Sequence, residues 1–218
     1  MPFSLLTLER FLPSLLKGVV VTLELSVLAV LLAVVWGMVI ALASMSGRVA
    51  LKWPAGAFIQ LMRNTPLLVQ LYIVYFGFGM AGFGLSSFSS GLIALAAQNS
   101  AYVAEIFRGG LQSISKRQIE AGRALGMSRR DIFELIELPQ TVMRVMPPLC
   151  SQFIQIIKDT SIVSAIAVGE LMYEGKLLSE RTASTYEIFF MVGIIYLILT
   201  SFVMFATGVF ERRYAISH

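Results

Sequence analysis

Hydrophobic residues occur in five long runs, separated by shorter polar stretches. The runs lie near residues 19–45, 57–80, 87–111, 145–169 and 187–210. At about 1.5 Å of rise per helical residue, each run is long enough to cross the hydrocarbon core of a bilayer. The 218-residue chain is 57% hydrophobic and 14% charged, whereas a soluble domain has to cover its surface with polar side chains. The pattern therefore predicts an all-α polytopic membrane protein with about five transmembrane helices.

The first 18 residues precede the first run. Their leucines recur at helical spacing, at Leu5, Leu8, Leu12 and Leu15, which is typical of a short helix lying in the membrane interface. Charged residues and a proline interrupt the stretch and no small-residue cleavage site follows, so it does not resemble a signal peptide. We predict an interfacial segment over 1–18, a single transmembrane domain over 19–213 and a cytoplasmic tail over 214–218.

The distribution of basic residues predicts the orientation, because basic residues are retained on the cytoplasmic side. With five spans, twelve of the 17 Lys and Arg residues fall on one side and four on the other, and Lys158 lies within the fourth run. The polar stretch between the third and fourth runs belongs to the more basic side. We therefore expect the N-terminus outside and the C-terminus in the cytoplasm.

The sequence offers few groups for catalysis or metal binding. Cys150 is the one cysteine and His218 the one histidine, which removes intrachain disulfides, zinc clusters and serine–histidine–aspartate triads from the candidates. The GxxxxGK[ST] phosphate loop is absent as well. An intramembrane serine protease would have to use Ser90, beside Gly91, with His218 as its base, which is a poor arrangement for a nucleophile.

The stretch 114–140, ISKRQIEAGRALGMSRRDIFELIELPQ, is the most charged part of the chain. Ser115 is followed three residues later by Gln118, and Ser128 by Asp131. Both pairs have the spacing of a capping box, so they predict two helix starts.

A tight bend is predicted between these two helices. Gly126 suits the left-handed residue that ends the first helix, and Pro139 is predicted to end the second. An interfacial helix resting on lipid is the simplest alternative. Glu120 and Glu134 argue against it, because acidic side chains gain nothing beside anionic headgroups, so a protein partner explains the stretch better.

Seven residues of this stretch carry a recognisable motif. The spacing EAA-x3-G-x9-I-x-LP is followed by Glu120, Ala121, Gly122, Gly126, Ile136, Leu138 and Pro139. The sequence thereby resembles the permease subunits of bacterial ABC importers, with Gly122 in place of the second alanine. RNTPLLVQLY (63–72), NSAYVAEIFRGGLQSI (99–114) and KDTSIVSAI (158–166) resemble the branch that takes up polar amino acids, so the resemblance covers about 18–213.

The resemblance implies a permease that imports polar amino acids by alternating access in the bacterial inner membrane. Its bent helix pair, about 115–138, would dock on an ATPase, with Glu120 pairing with a basic group there; a solvated surface glutamate is the alternative for this residue. The implied partners are a second permease chain, identical or related, two cytoplasmic ATPase subunits and an extracytoplasmic amino-acid-binding protein. Mg-ATP would belong to the ATPase, and this chain would carry neither a cofactor nor catalytic residues.

Polar residues within the third and fourth runs are candidates for the substrate path. Ionisable groups at membrane depth are costly and face a cavity or one another by default. The candidates are Asn99, Ser100, Tyr102, Glu105, Gln155, Lys158, Asp159, Thr160 and Ser161. Amide, hydroxyl and both signs of charge at one depth would suit a zwitterion.

Two other interpretations of these polar residues stay open. Polar side chains such as Ser100 and Gln152 also hold helices together. In an ion- or proton-coupled secondary carrier, Lys158, Asp159 and Glu105 would form a charge relay, although such carriers usually show internal repeats, which this sequence lacks.

The second run contains a predicted helix restart. Thr65 and Pro66 read as an N-cap and a first-turn proline. Arg63, just before them, is long enough to reach the cytoplasmic headgroups. We therefore expect the second span to be made of two helical pieces.

Overall fold

The computed structural model describes the backbone of residues 5–214 and the side chains of 11–208. The helices are α1 (Leu5–Ser44), α2 (Val49–Asn64), α3 (Leu67–Tyr72), α4 (Phe78–Met80), α5 (Ser87–Gln112), α6 (Lys116–Ala124), α7 (Arg129–Ile132), α8 (Leu138–Asp159), α9 (Leu171–Thr182) and α10 (Thr185–Tyr214). π-Helical turns join α3 to α4 (Ile73–Gly77) and α7 to α8 (Phe133–Glu137), and a 3-10 segment (Thr160–Ile166) follows α8. No strand occurs within 5–214, so the all-α prediction is confirmed.

Two of the described helices are long and apolar enough to cross a membrane, within Phe11–Ser44 and Thr185–Gly208. A shorter apolar helix covers Leu67–Met80. The helix α5 coincides with the third predicted run and α8 overlaps the first part of the fourth, but their polar residues make them less hydrophobic. The count of five spans therefore stays a prediction.

The N-terminal segment does not form the separate interfacial helix that was predicted. The helix α1 runs without a break from Leu5 to Ser44 and includes Pro13. Phe11 and Leu15 are buried in a cluster with Leu171 of α9 and Ile188 of α10. The stabilisation from this packing offsets the loss of the backbone hydrogen bond that Pro13 cannot donate. The side chains of 1–10 and the tail residues 215–218 lie outside the described part.

The restart within the second run is confirmed, one residue later than predicted. Thr65 has an extended backbone (φ −116°, ψ 142°) and ends α2, whereas Pro66 is the N-cap of α3. A residue that precedes proline is disfavoured in the helical region, which explains why the break falls on Thr65. Its hydroxyl donates to the Leu61 carbonyl at 2.8 Å instead of capping α3.

The central helix of the bundle is α5, which packs against α1, α2 and α8. Leu25 and Ala29 of α1 share a buried cluster with Ala94 and Leu95 of α5. At Gly37 an added Cβ would lie 2.6 Å from Val103 Cγ1. Small residues thus allow α1 and α5 to approach closely, as is usual for helices that pack in membranes.

A close backbone approach between α1 and α9 yields a stability prediction. An added Cβ at Gly18 would lie 2.7 Å from Leu171 Cα and 2.9 Å from its backbone nitrogen, where no rotamer change can relieve the clash. We expect Gly18→Ala to destabilise the protein by about 1–3 kcal/mol, the usual cost of overpacking. Thermal unfolding in detergent measures the change.

Gly193→Ala in α10 is the matched control, because nothing lies within 4 Å of its added Cβ. This control should be neutral or stabilising by up to about 1 kcal/mol, since alanine has the higher helix propensity. Equal melting temperatures for the two variants would contradict the close packing of α1 on α9.

Candidate functional site

The predicted bent helix pair is formed by α6 and α7 and their connection. Gly126 has φ +78°, as expected for the left-handed residue after a helix. The amide of Gly126 donates to the Arg123 carbonyl and that of Met127 to the Gly122 carbonyl, both at 3.0 Å. This pair of bonds is a Schellman motif, so the predicted bend is confirmed.

One of the two predicted capping boxes forms. The Ser128 hydroxyl accepts from the Asp131 amide, and the Asp131 carboxylate accepts from the Ser128 amide. Ser115 is the N-cap of α6 but makes no side-chain capping bond. Gln118, its predicted partner, instead accepts a hydrogen bond at 3.0 Å from Gln140 of α8. The tertiary contact between α6 and α8 has replaced the local one.

Gly122 is the point at which α6 contacts the second helix of the pair. An added Cβ there would lie 3.2 Å from Ile132 Cγ1 and from Ile136 Cδ1, and 3.3 Å from Met127 Sδ. Alanine would fit only if these side chains shifted by a few tenths of an ångström. Gly122 therefore allows α6 to pack more closely against the second helix of the pair than an alanine would.

The prediction that Pro139 ends the second helix is wrong. Helical backbone continues from Arg129 through the π-turn into α8, which begins at Leu138. The Leu138 amide donates to the carbonyl of Phe133, five residues earlier, which is the π-helical pattern. Pro139 follows this π-turn, whose altered bonding pattern accommodates the hydrogen bond that proline cannot donate.

The helix pair presents both charged and apolar side chains to the exterior. Glu120 and Ala121 are exposed. Leu125 is 82% exposed and Leu135 is 69% exposed. The salt bridge between Arg130 and Glu134 at 2.8 Å is exposed, so it contributes little to stability. Large apolar side chains exposed among charges are typical of a surface that binds another protein.

The pair is attached firmly to the bundle. Arg144 of α8 donates to the carbonyl of Ser113 and, at 2.8 Å, to its hydroxyl, which ties α8 to the end of α5. The bond between Gln140 and Gln118 ties α8 to α6. A displacement of α6 would therefore reach α5 and α8 as a rigid-body movement.

The polar candidates on α5 divide into two groups. Asn99 and Ser100 are buried, and the side-chain oxygen Oδ1 of Asn99 accepts a hydrogen bond at 2.6 Å from the Gln152 side chain of α8. The Ser100 hydroxyl donates to the Ala97 carbonyl at 2.7 Å. The first contact favours the interhelical role for Gln152 and includes Asn99 in it, whereas the Ser100 hydroxyl bond lies within α5.

Glu105 and Tyr102 belong to a second group, which contains two arginines as well. The Glu105 carboxylate pairs with Arg63 at 3.1 Å and with Arg108 at 2.6 Å. The Arg63 guanidinium carbon lies 5.4 Å from the centre of the Tyr102 ring, a cation–π contact. The sharing of one site by Glu105 and Lys158 therefore stays a prediction. Arg108 lies on the same face of α5 as Glu105 by helical spacing, whereas the sequence does not place Arg63 near it.

The end of α8 brings the remaining candidates together. The Gln155 amide donates to Asp159 Oδ1 at 2.8 Å. Lys158 is exposed and makes no ion pair among the described residues. The hydroxyls of Thr160 and Ser161 donate to the carbonyls of Ile157 and Lys158, both at 2.7 Å. An exposed ammonium at membrane depth cannot face lipid cheaply, so it has to face a cavity or another chain.

Sequence reasoning missed Glu170, a fully buried carboxylate at the start of α9. Its oxygens accept from the amides of Met172 (2.9 Å) and Tyr173 (2.7 Å) and from the Tyr196 hydroxyl (2.8 Å). Preferred N-caps are Ser, Thr, Asp and Asn, so a glutamate gave no recognisable helix start. The helix α9 was therefore not predicted, and the predicted fourth run was extended to 169 although α8 ends at Asp159.

These features define an all-helical membrane component with an exposed, bent helix pair on one surface. Residues 11–216 match the family described as "Binding-protein-dependent transport system inner membrane component". The chain belongs to this family. The resemblance to ABC importer permeases is thereby confirmed.

Individual relatives cover nearly the whole chain. A probable glutamine ABC transporter permease of Bacillus subtilis is 35% identical over 192 residues, which are 88% of this chain and 89% of the relative. A probable amino-acid ABC transporter permease of the same organism is 34% identical over 210 residues, 96% and 92% of the two chains.

Solved structures show the same fold. A chain of an amino-acid ABC transporter crystallised with histidines has a TM-score of 0.92 and 35% identity, covering 98% of this chain and 100% of that one. An inward-facing methionine ABC transporter has a TM-score of 0.78 at 19% identity, and it supports the fold alone.

Proposed function

We propose that this chain is the membrane-spanning permease subunit of an ATP-driven importer of polar amino acids. The observation that carries the proposal is the exposed helix pair α6–α7, which is rooted in α5 and α8 and carries the EAA spacing from Glu120 to Pro139. The relatives named as amino-acid permeases support the substrate class. Polar amino acids would be taken up by alternating access.

The partners follow from the same proposal. Two cytoplasmic ATPase subunits would dock on the helix pair and hold Mg-ATP, and a soluble amino-acid-binding protein would deliver substrate from outside. This chain would carry out transport and no catalysis. Ser90, the candidate nucleophile of the protease alternative, is fully buried in α5, which argues against that reading.

A second permease chain, identical or related, would complete the path. One face of α8 is exposed and polar in part, at positions that recur with helical spacing: Arg144, Pro147, Pro148, Ser151, Gln155 and Lys158. A stripe of this composition is a poor surface for lipid. Cover from a second chain, with water and substrate between the two, accounts for its exposure.

The secondary-carrier alternative is not favoured. Its charge relay requires Glu105 beside Lys158 and Asp159, but the Glu105 carboxylate pairs with Arg63 and Arg108. Co-purification from mild detergent distinguishes the ATP-driven importer from the secondary carrier. The proposal predicts recovery of an ATPase with the chain, whereas a chain that is recovered alone and still transports amino acids would overturn it.

We propose that the N-terminus lies outside and α6–α7 in the cytoplasm, as the distribution of basic residues indicates. A cysteine replacing Leu125, at the tip of α6, should react with a membrane-impermeant maleimide only after cells are permeabilised. A cysteine replacing the exposed Lys176 of α9 should react in intact cells. Cys150→Ala provides the background for both. Labelling of Leu125→Cys in intact cells would overturn the orientation.

A further inference from the structure

Glu24 of α1 is an ionisable residue that neither the proposed path nor the helix pair uses. It lies within the apolar segment Phe11–Ser44 and is the one charged residue between Lys17 and Arg48. Its side chain is exposed, and its carboxylate makes no ion pair or hydrogen bond within the described part of the chain. Sequence reasoning missed it, because a single carboxylate hardly lowers the hydropathy of so long an apolar run.

The exposed face of α1 around Glu24 is apolar. Val20, one turn before it, is 63% exposed, and Val27, one turn after it, is 56% exposed. A carboxylate that faced lipid at this position would be costly, so ionisable groups within membrane helices face a cavity or another chain by default. Glu24 therefore needs a partner that the described part of the chain does not supply.

Glu24 lies at the level of the last turn of α8. Leu25, the next residue, is buried in one cluster with Ile156 of α8 and Val163 of the 3-10 segment. The helix α1 contacts both of these elements directly. Lys158 and Asp159 follow Ile156 within a single helical turn. One level of the bundle thus carries three charged side chains, of which none is fully buried.

The charges at this level are unequal, with one ammonium and two carboxylates. The carboxylate of a zwitterionic amino acid would pair with the Lys158 ammonium, and its ammonium with Asp159, of which one oxygen accepts from Gln155. Glu24 is left over, so a substrate with one further positive charge would balance the site. We propose that Glu24 belongs to the substrate path and selects amino acids with a cationic side chain. The inference rests on the proposed function and on the roles proposed for Lys158 and Asp159.

Binding of amino acids to the purified permease–ATPase complex tests the inference. The amino-acid-binding protein is left out, because it selects substrates on its own. The wild-type complex should bind labelled lysine about tenfold or more tightly than labelled glutamine, since lysine gains a hydrogen bond between charged groups. Glu24→Gln should remove this preference by weakening the binding of lysine and should leave the binding of glutamine unchanged.

Glu180→Gln is the matched control, because Glu180 is also an exposed glutamate but lies on α9, outside the proposed path. It should alter the binding of neither amino acid. Glu24→Asp keeps the charge on a shorter side chain and should keep a preference for lysine. An equal loss of lysine and glutamine binding in Glu24→Gln would overturn the inference, as would a wild-type complex that binds neither amino acid or does not prefer lysine.

The other partner for Glu24 would be a basic group of a second permease chain. In that case Glu24→Gln should lower the recovery of the second chain in the complex, and this result would overturn the role in selection. The selection role predicts unchanged recovery, because the substituted side chain faces the path.

Uptake into proteoliposomes with the binding protein separates this inference from the proposed function. If the wild type takes up amino acids with ATP but its complex shows no preference for lysine, the inference fails and the proposed function stands. If the wild type takes up no amino acid with ATP, the proposed function itself fails.

Discussion

Glu120→Lys and Gly126→Val are each expected to yield a permease that is inserted and stable but no longer drives amino-acid uptake. Glu120 is exposed on α6, and its charge is reversed within the proposed ATPase contact, where an unpaired charge costs about 2–5 kcal/mol. At about 1.4 kcal/mol per factor of ten, this weakens binding of the ATPase by roughly 30-fold or more. Co-purification of the ATPase measures the loss.

Gly126→Val acts through the bend rather than through charge. Residue 126 has a φ of +78°, and a valine in this conformation would cost about 1–2 kcal/mol. No neighbour lies within 4 Å of a Cβ added at this position, so the cost comes from the backbone. Because the Schellman bonds of Gly126 and Met127 set the angle between α6 and α7, the second helix should be misdirected. ATP hydrolysis without amino-acid uptake is the expected behaviour.

The controls for these two variants are conservative substitutions at the same positions. Gly126→Asn should retain uptake, because asparagine tolerates the left-handed conformation. Glu120→Gln should weaken ATPase binding less than Glu120→Lys, since it removes the charge without reversing it. Normal uptake and normal ATPase recovery in both Glu120→Lys and Gly126→Val would contradict the coupling role of α6–α7.

Lys158→Met and Asp159→Asn are expected to lower uptake by about tenfold or more, because each removes a charge, and a hydrogen bond to a charged group contributes about 1.5–3 kcal/mol. Assembly with the ATPase should be unchanged. The two residues lie at the opposite end of α8 from Leu138, about 30 Å away at 1.5 Å per residue. Initial rates of uptake and ATPase recovery are the two measurements.

Lys176→Met in α9 is the matched control for Lys158→Met, because Lys176 is also an exposed lysine but lies outside the proposed path. It should transport at the normal rate. Failure of Lys158→Met or Asp159→Asn to assemble would instead assign that residue to the interface between chains, and the path would lose its principal charged candidates.

Much of the fold was predictable, because membrane helices need long apolar runs. The run predicted over 87–111 is α5, Ser87–Gln112, and the last run falls within α10. The bend at Gly126 was predictable as well, since only local backbone geometry decides it. The count of five spans is still a prediction, because the polar residues of α5 and α8 lower the hydropathy of these helices below that of a typical transmembrane span.

The errors have two physical causes, which are tertiary contacts that override local signals and a local π-turn that the sequence pattern does not indicate. Pro13 does not interrupt α1, because Phe11 and Leu15 pack against α9 and α10. Pro139 does not end the second helix, because a π-turn absorbs the missing bond. Glu105 is paired by Arg63, which is distant in sequence. Such contacts are invisible in a single sequence.

The most direct measurement is amino-acid uptake into proteoliposomes that contain this chain with its co-purified partners and the binding protein. ATP is supplied on the side that carries α6–α7, and a protonophore collapses ion gradients in a parallel sample. The proposed function predicts uptake that requires ATP hydrolysis and persists with the protonophore. Uptake by this chain alone, driven by an ion gradient and abolished by the protonophore, would contradict it.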